Sequence, residues 1–271
     1  MIRSDFHMHS RFSTDGKSEM RDMIDSAISK GLENICFTEH MDYDNPYDEG
    51  PGAFEVDTDS YFKKYKELSL TEKRINVFFG VELGLQPHIV EHYKQYVKEY
   101  PFDFIIGSSH VVKGKDPGSG GYYELFESEE KAHRAYFEEE LKCAELFDVY
   151  DVYGHLDYAL RYGPTADKSF SYRKYSDILD EILKTVINKG KGIEINSAGF
   201  RKGMTGPNPA ESILKRYREL GGEIITVGSD AHSTVEIAAD FDRAINVLLN
   251  CGFEHYTIFR KRIPEQISLK D

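Results

Sequence analysis

Seven short apolar runs recur along the chain, and six of them carry a candidate ligand, histidine or carboxylate, at or near their end. They are MIRSDFHMH (residues 1–9), ENICFTEH (33–40), NVFFGVELG (76–84), FDFIIGSSH (102–110), FDVYDVYGHLD (147–157), GIEINSAG (192–199) and EIITVGSDAH (223–232). Their content of Val, Ile, Phe and Tyr predicts β-strands. Helical stripes lie between them. Met20, Met23, Ala27 and Ile28 form one, closed by Gly31, and a second runs Tyr175, Ile178, Leu179, Ile182, Val186 and Ile187. A third, Ile213, Leu214, Tyr217 and Leu220, ends at Gly221; a fourth, Ile237, Phe241, Ile245, Leu248 and Leu249, ends at Gly252. Glycine after a helical stripe is the expected stop.

Strand followed by helix, repeated, implies parallel pairing with helices outside. Seven such units predict an α/β fold, a distorted (β/α)7 barrel related to the eight-stranded TIM barrel; an open doubly wound sheet is the competitor. No Pro/Gly/Ser-rich linker divides the 271 residues, so residues 1–271 are expected to form a single domain. Two long stretches, residues 41–60 and 111–127, follow strand C-termini, the face where parallel barrels carry their chemistry, and are expected to be lids or binding loops.

His7 and His9 are two apart and share a strand face. His40, Glu82, His110 and His155 stand at or near the ends of the next four runs, Asp230 and His232 end the seventh, and Asp15 follows the first by a short loop. Six of the ten histidines thus fall at one rim; His88, His92, His133 and His255 fall in helical or turn contexts and read as solvated. Imidazole and carboxylate together suit zinc, iron(II) and manganese. Nine candidate ligands exceed what one ion needs, and a carboxylate such as Glu82 can bridge, so two or three divalent ions are expected.

The bulk properties exclude other classes. A net charge of -13 repels phosphate backbones, which argues against nucleic-acid partners. Three scattered cysteines, Cys36, Cys143 and Cys251, fit a reducing compartment and small buried roles. No signal peptide and no long apolar span is visible, so a cytoplasmic protein without membrane contact is expected.

The strings DFHMHSRFSTDG, FTEH, GVELG, GSSH, GHLDY and GSDAH resemble, in order, the motifs of the PHP (polymerase and histidinol phosphatase) superfamily. The resemblance implies a distorted (β/α)7 barrel with a trinuclear site at the C-terminal rim. It implies one ion held by His7, His9, Glu82 and Asp230, a second by Glu82, His110 and His155, and a third by Asp15, His40 and His232. Asp15 is a position where some members carry histidine. GSSHVVKGKDP, HLDYALRYG and EINSAGFRKG further resemble the stand-alone histidinol-phosphatase branch. That implies hydrolysis of L-histidinol phosphate to L-histidinol and phosphate in histidine biosynthesis, with Glu82, Asp230 and His232 as catalytic residues.

The charge balance agrees. Three divalent ions with Asp15, Glu82 and Asp230 leave a positive excess matched by a phosphate dianion and a hydroxide. A water bridging two ions, its pKa lowered to roughly 7, is the expected nucleophile. The donor of a proton to the leaving group stays open. Arg161 and Arg201 follow the fifth and sixth runs and are expected to grip phosphate. Glu39 and Asp42 are expected to receive the substrate amine, and Glu194 and Asn196 to stand behind the metal ligands. Two rival functions remain: a phosphoesterase acting on nucleotides, oligonucleotide ends or phosphotyrosine, and a non-catalytic metal-binding module. The partner is expected to be a small phosphate ester; the sequence leaves the oligomeric state open.

Overall fold

Seven parallel strands are hydrogen-bonded in chain order, β1 (Ser4–Met8), β2 (Asn34–Met41), β3 (Asn76–Gly84), β4 (Phe104–Ser108), β5 (Val152–Tyr153), β6 (Gly192–Asn196) and β7 (Ile225–Gly228). This arrangement comes from a computed structural model, which describes residues 2–46, 50 and 52–270. The sheet curls until its edges meet just beyond the strands. Met8 bridges Ala231 in parallel, Asp230 N–H donates to His7 O at 2.8 Å, and His9 N–H donates to Ala231 O at 2.8 Å. The buried Asp5 carboxylate accepts from Ser229 N–H and Oγ–H and from Ala238 N–H, tying the segment after β7 back to β1. The result is a nearly closed, distorted (β/α)7 barrel, and the open sheet is excluded.

Helices α1 (Met20–Ser29), α2 (Thr58–Thr71), α3 (Val90–Glu99), α4 (Glu129–Leu146), α5 (Ser176–Asn188), α6 (Ala198–Arg201), α7 (Glu211–Glu219) and α8 (Phe241–Asn250) connect the strands or follow the last of them. Most of the expected apolar stripes point inward: Met20, Met23 and Ala27 of α1 are buried together with Ile24, and Ile178, Leu179, Ile182 and Val186 of α5 together with Leu183, while Ile28 and Ile187 are half-buried. No helix among the described residues is long and apolar enough to cross a membrane. All three cysteines are free and buried. Of the stretch expected as a loop over residues 41–60, Met41 closes β2 and Thr58 opens α2; the part between folds back through a Met41–Glu55 bridge, and its residues 47–49 and 51 lie outside the described residues.

A hairpin, β8 (His255–Arg260) with β9 (Ile263–Ser268), was not expected from sequence. It covers the N-terminal end of the barrel. Phe259 stacks 5.1 Å from Phe104, Tyr256 Oη lies 3.1 Å from Ser4 Oγ, and the Arg262 guanidinium pairs with the buried Asp151. The opposite, C-terminal rim is left for chemistry.

His133 of α4 corrects the expectation of a solvated side chain: it is 1% exposed, packed against Tyr123 and Tyr175. Burial pushes its pKa down to about 4. The folded protein therefore refuses a proton that the unfolded chain accepts near its ordinary pKa of about 6.5. Stability is full above that value and is lost as pH falls toward 4, by roughly 2 to 3 kcal/mol for this group. Denaturant unfolding at pH 7 and pH 4 should show a smaller loss in His133→Leu than in the unsubstituted protein; equal losses would remove His133 as a source of the acid sensitivity.

Candidate metal centre

The strand ends converge because parallel strands in register deliver equivalent positions to one rim. His40 of β2 and Glu82 of β3 are direct register partners. His7 and His9 leave the end of β1, His110 and His155 follow β4 and β5 by two residues, and Asp230 and His232 follow β7. Asp230 takes a left-handed backbone, φ 54°, which carboxylates tolerate better than most side chains and which ends the strand early. Gly228 makes room below: a Cβ there would stand 2.3 Å from Glu194 Oε1 and 2.4 Å from His7 Cβ.

Glu82 lies at the centre. Its Oε1 is 3.0 Å from His155 Nε2 and 3.3 Å from His110 Nε2. Its Oε2 is 3.1 Å from His40 Nδ1, 3.2 Å from His7 Nε2 and 3.5 Å from His9 Nε2. Asp230 Oδ1 is 3.7 Å from both His7 Nε2 and His9 Nε2. Asp15 reaches in from the first loop, 2.9 Å from His232 Nε2 and 3.8 Å from His40 Nε2. Ligand atoms mutually within 4.8 Å form the sets His7, His9 and Asp230; Glu82, His110 and His155; His9, His40 and His232; and His40, Asp42 and His110. Eight of the nine sequence-predicted ligands fall in these sets, with His9 shared by two of them, and Asp15 joins through its contacts with His232 and His40.

Four imidazoles are fixed through Nδ1. His7 Nδ1 faces Glu194 Oε1 at 2.6 Å, His9 Nδ1 faces Ser13 Oγ at 3.1 Å, His110 Nδ1 faces Asp42 Oδ2 at 2.8 Å and His232 Nδ1 faces Asp230 O at 3.0 Å. An acceptor on Nδ1 takes that N–H and turns Nε2 inward, where a bound cation would find a lone pair. Those inward nitrogens crowd one another: His7 Nε2 is 3.1 Å from His9 Nε2, and His110 Nε2 is 3.5 Å from His155 Nε2. His40 Nδ1 and Glu82 Oε2 are buried 3.1 Å apart without a well-directed hydrogen bond. So many polar atoms converging in a protein interior without well-directed hydrogen bonds are costly unless cations lie between them. The donor set and its geometry fit divalent ions.

The two central carboxylates are held ionised, as a cation site needs. Burial alone would raise the Glu82 carboxyl, yet His7, His110 and His40 hold it well below the ordinary range. Burial opposes ionisation of Asp230 too, and His7, Arg161 and His232 overcome it. Burial and its imidazole neighbours push His9 well down, which favours the neutral ring that a cation binds.

The cleft above the cluster has a volume of about 390 Å³. Arg161 and Arg201 both line it. Arg161 is buried; its Nη1 donates to Asp230 Oδ2 at 3.2 Å and its Nη2 to Asn196 Oδ1 at 3.2 Å. Arg201 Nη2 donates to Ser229 O at 2.6 Å, while its Nη1 has no partner. Asn196 Nδ2 donates to both Glu194 Oε2 and Asp230 Oδ2, so Glu194 and Asn196 stand behind the ligands as their shared strand face implied.

Two acids expected to meet a substrate amine are placed elsewhere. Glu39 is fully buried and accepts from Ser10 and Ser13, the latter being the residue that anchors His9. Asp42 is buried against His110. Neither lines the cleft. Asp116 does, in the loop after β4, accepting from Gly118 N–H at 2.7 Å and Tyr158 Oη–H at 3.3 Å. It was missed because an isolated loop aspartate carries no periodic signal.

A sequence profile of the PHP domain matches residues 5–198. The chain belongs to the PHP domain family. Among PHP-type relatives, it is 35% identical over 259 residues to a probable histidinol-phosphatase of Clostridium acetobutylicum, covering 96% of this chain and 97% of that one. It is 33% identical to the histidinol-phosphatase of Lactococcus lactis, covering 96% and 95%. The crystal structure of the Lactococcus lactis histidinol phosphate phosphatase, complexed with zinc, L-histidinol and phosphate, superposes with a TM-score of 0.88 at 32% identity over 97% of this chain and 98% of that one.

Proposed function

We propose that this PHP protein is a metal-dependent phosphomonoesterase that hydrolyses L-histidinol phosphate to L-histidinol and phosphate, a cytoplasmic step of histidine biosynthesis. The observation that carries the reading is the bridging position of Glu82 within a cluster of inward Nε2 nitrogens, in a barrel matching that of a relative that binds zinc, histidinol and phosphate. Divalent ions held by His7, His9, Asp15, His40, Glu82, His110, His155, Asp230 and His232 would supply Lewis acidity and a water of lowered pKa. Zinc, iron and manganese all suit these donors.

The chain's own residues do the rest. Glu82 fixes the two halves of the cluster relative to each other, and Asp230 and His232 hold its face toward the cleft. Arg161 and the unpartnered Nη1 of Arg201 bind the non-bridging phosphate oxygens, which a guanidinium fork suits better than an ammonium. Phe54, 5.6 Å from His40, and Tyr158, 5.1 Å from His155, give the cleft flat walls that accept an imidazole. Asp116 in the same cleft is the acid placed for a cationic amine.

Metal-loaded protein is to be assayed against a panel of esters. Histidinol phosphate should turn over far faster than nucleotides or phosphotyrosine. Preference for a nucleotide would transfer the function to another phosphoesterase of the family, and turnover of nothing would leave a binding module.

A further inference from the structure

Arg161 is held from below by a chain of polar groups that no metal ligand requires. Its Nε–H donates to Asn208 Oδ1 at 2.6 Å. The Asn208 amide in turn donates from Nδ2 to Asp157 Oδ1 at 2.5 Å, and Asp157 Oδ2 accepts from Ala210 N–H at 2.8 Å. All three side chains are buried, Asp157 and Asn208 completely. The segment carrying Asn208 is pinned twice to β6, through Asn196 N–H to Asn208 O at 2.7 Å and Asn208 N–H to Asn196 O at 2.9 Å. Gly199 allows this approach, since a Cβ there would stand 3.0 Å from Asn208 Oδ1 and 2.7 Å from Gly206 O.

The polarity of the chain is fixed. A carboxylate only accepts, so Asp157 forces the amide to turn its NH2 downward and its oxygen up. That oxygen receives Nε–H and sets the plane of the guanidinium. Asp230 and Asn196 take one N–H from each terminal nitrogen. Two N–H groups remain, one on each nitrogen, in the plane that Asn208 defines, and Arg161 borders the cleft. Without the chain, the guanidinium of Arg161 is free to swing fully onto Asp230.

We propose that Asp157 and Asn208 are positioning residues whose paired side chains orient the Arg161 guanidinium for a phosphate group in the cleft. The proposal rests on the reading of Arg161 as a phosphate anchor.

Inorganic phosphate is the probe, measured as a competitive inhibitor alongside kcat and KM for histidinol phosphate. Asp157→Asn and Asn208→Asp each break the polarity, one by opposing two amides and the other by opposing two carboxylates. Each should weaken phosphate inhibition and lower kcat/KM by about 10-fold, the scale of a lost hydrogen bond to a charged group, with metal content unchanged. The double variant D157N/N208D rebuilds every bond with the roles exchanged. The amide now at position 157 accepts from Ala210 N–H and donates to the carboxylate now at position 208, which accepts from Arg161. The double variant should recover phosphate inhibition to within about 3-fold of the starting protein. A double variant no better than the weaker single, or singles with unaltered phosphate inhibition, would overturn the proposal. Should either single fail to fold, Asn208→Ala carries the same comparison. Arg161→Ala separates the two levels. If it weakens phosphate while the Asp157 and Asn208 variants do not, positioning fails and the anchor stands; if Arg161→Ala itself leaves phosphate inhibition unchanged, both fall.

Discussion

Glu82→Gln should lower kcat/KM for histidinol phosphate by about 10³-fold, at the upper end of what one preorganised electrostatic group supplies. The size follows from position. One carboxylate reaches five imidazoles, with His155 and His110 on one oxygen and His40, His7 and His9 on the other. An amide keeps the shape, but its NH2 cannot accept a cation and its neutral oxygen binds one more weakly. His110 and His155 lose their carboxylate, and His7, His9 and His40 lose the same neighbour at once. Elemental analysis of the variant should therefore show fewer ions per chain as well as a slower reaction. Full metal content with unimpaired turnover would remove Glu82 from the centre of the site.

Arg201→Ala should reduce kcat/KM by about 10²-fold while leaving metal content intact, as expected for losing charge-assisted bonds to a phosphate in a partly buried site. Arg201 lines the cleft and is fastened through Nη2 to Ser229 O, while its Nη1 is buried and without a hydrogen-bond partner. A buried donor with nothing to bond is costly, and a phosphate oxygen is the group that would satisfy it. Arg201→Lys should recover little, because a lysine places one point charge where the fork placed two nitrogens. Kinetics of Arg201→Ala indistinguishable from the starting protein would withdraw the assignment.

Much of this was legible in the sequence, for a physical reason: strands buried on both faces in a parallel barrel are continuous apolar runs, and a ligand at the end of such a run is conspicuous. What escaped notice had weaker or misleading signals. The fifth run was expected over residues 147–157 but pairs as a strand only at Val152–Tyr153. A Cβ at Gly154 would stand 2.5 Å from Ser108 Oγ, and the chain turns at His155 to present its ring. Helix α4 buries His133 and Glu140 among its apolar residues, which breaks the stripe that marked α1 and α5. The terminal hairpin turns through Lys261 and Arg262 at φ 51° and 66°, where a tight turn ordinarily advertises itself with Asn or Gly.

The misplaced amine partners have a similar origin. Alternation along β2 sets Glu39 on the face opposite His40, so an acid adjacent in sequence to a ligand lies behind the site. Asp42 shares the face of His40 but is occupied by His110 Nδ1, a pairing across 68 positions of sequence that no local pattern announces. Asn208 and Asp157 went unnoticed for the same reason, being 51 positions apart and joined only by the closed barrel.

Elemental analysis of purified protein, paired with turnover of histidinol phosphate before and after chelation, tests the metal centre most directly. Two or three divalent ions per chain are expected, with activity lost as they are stripped and regained on adding zinc, iron or manganese. Protein shown to be free of metal that hydrolyses the ester at its original rate would contradict a metal-dependent phosphatase.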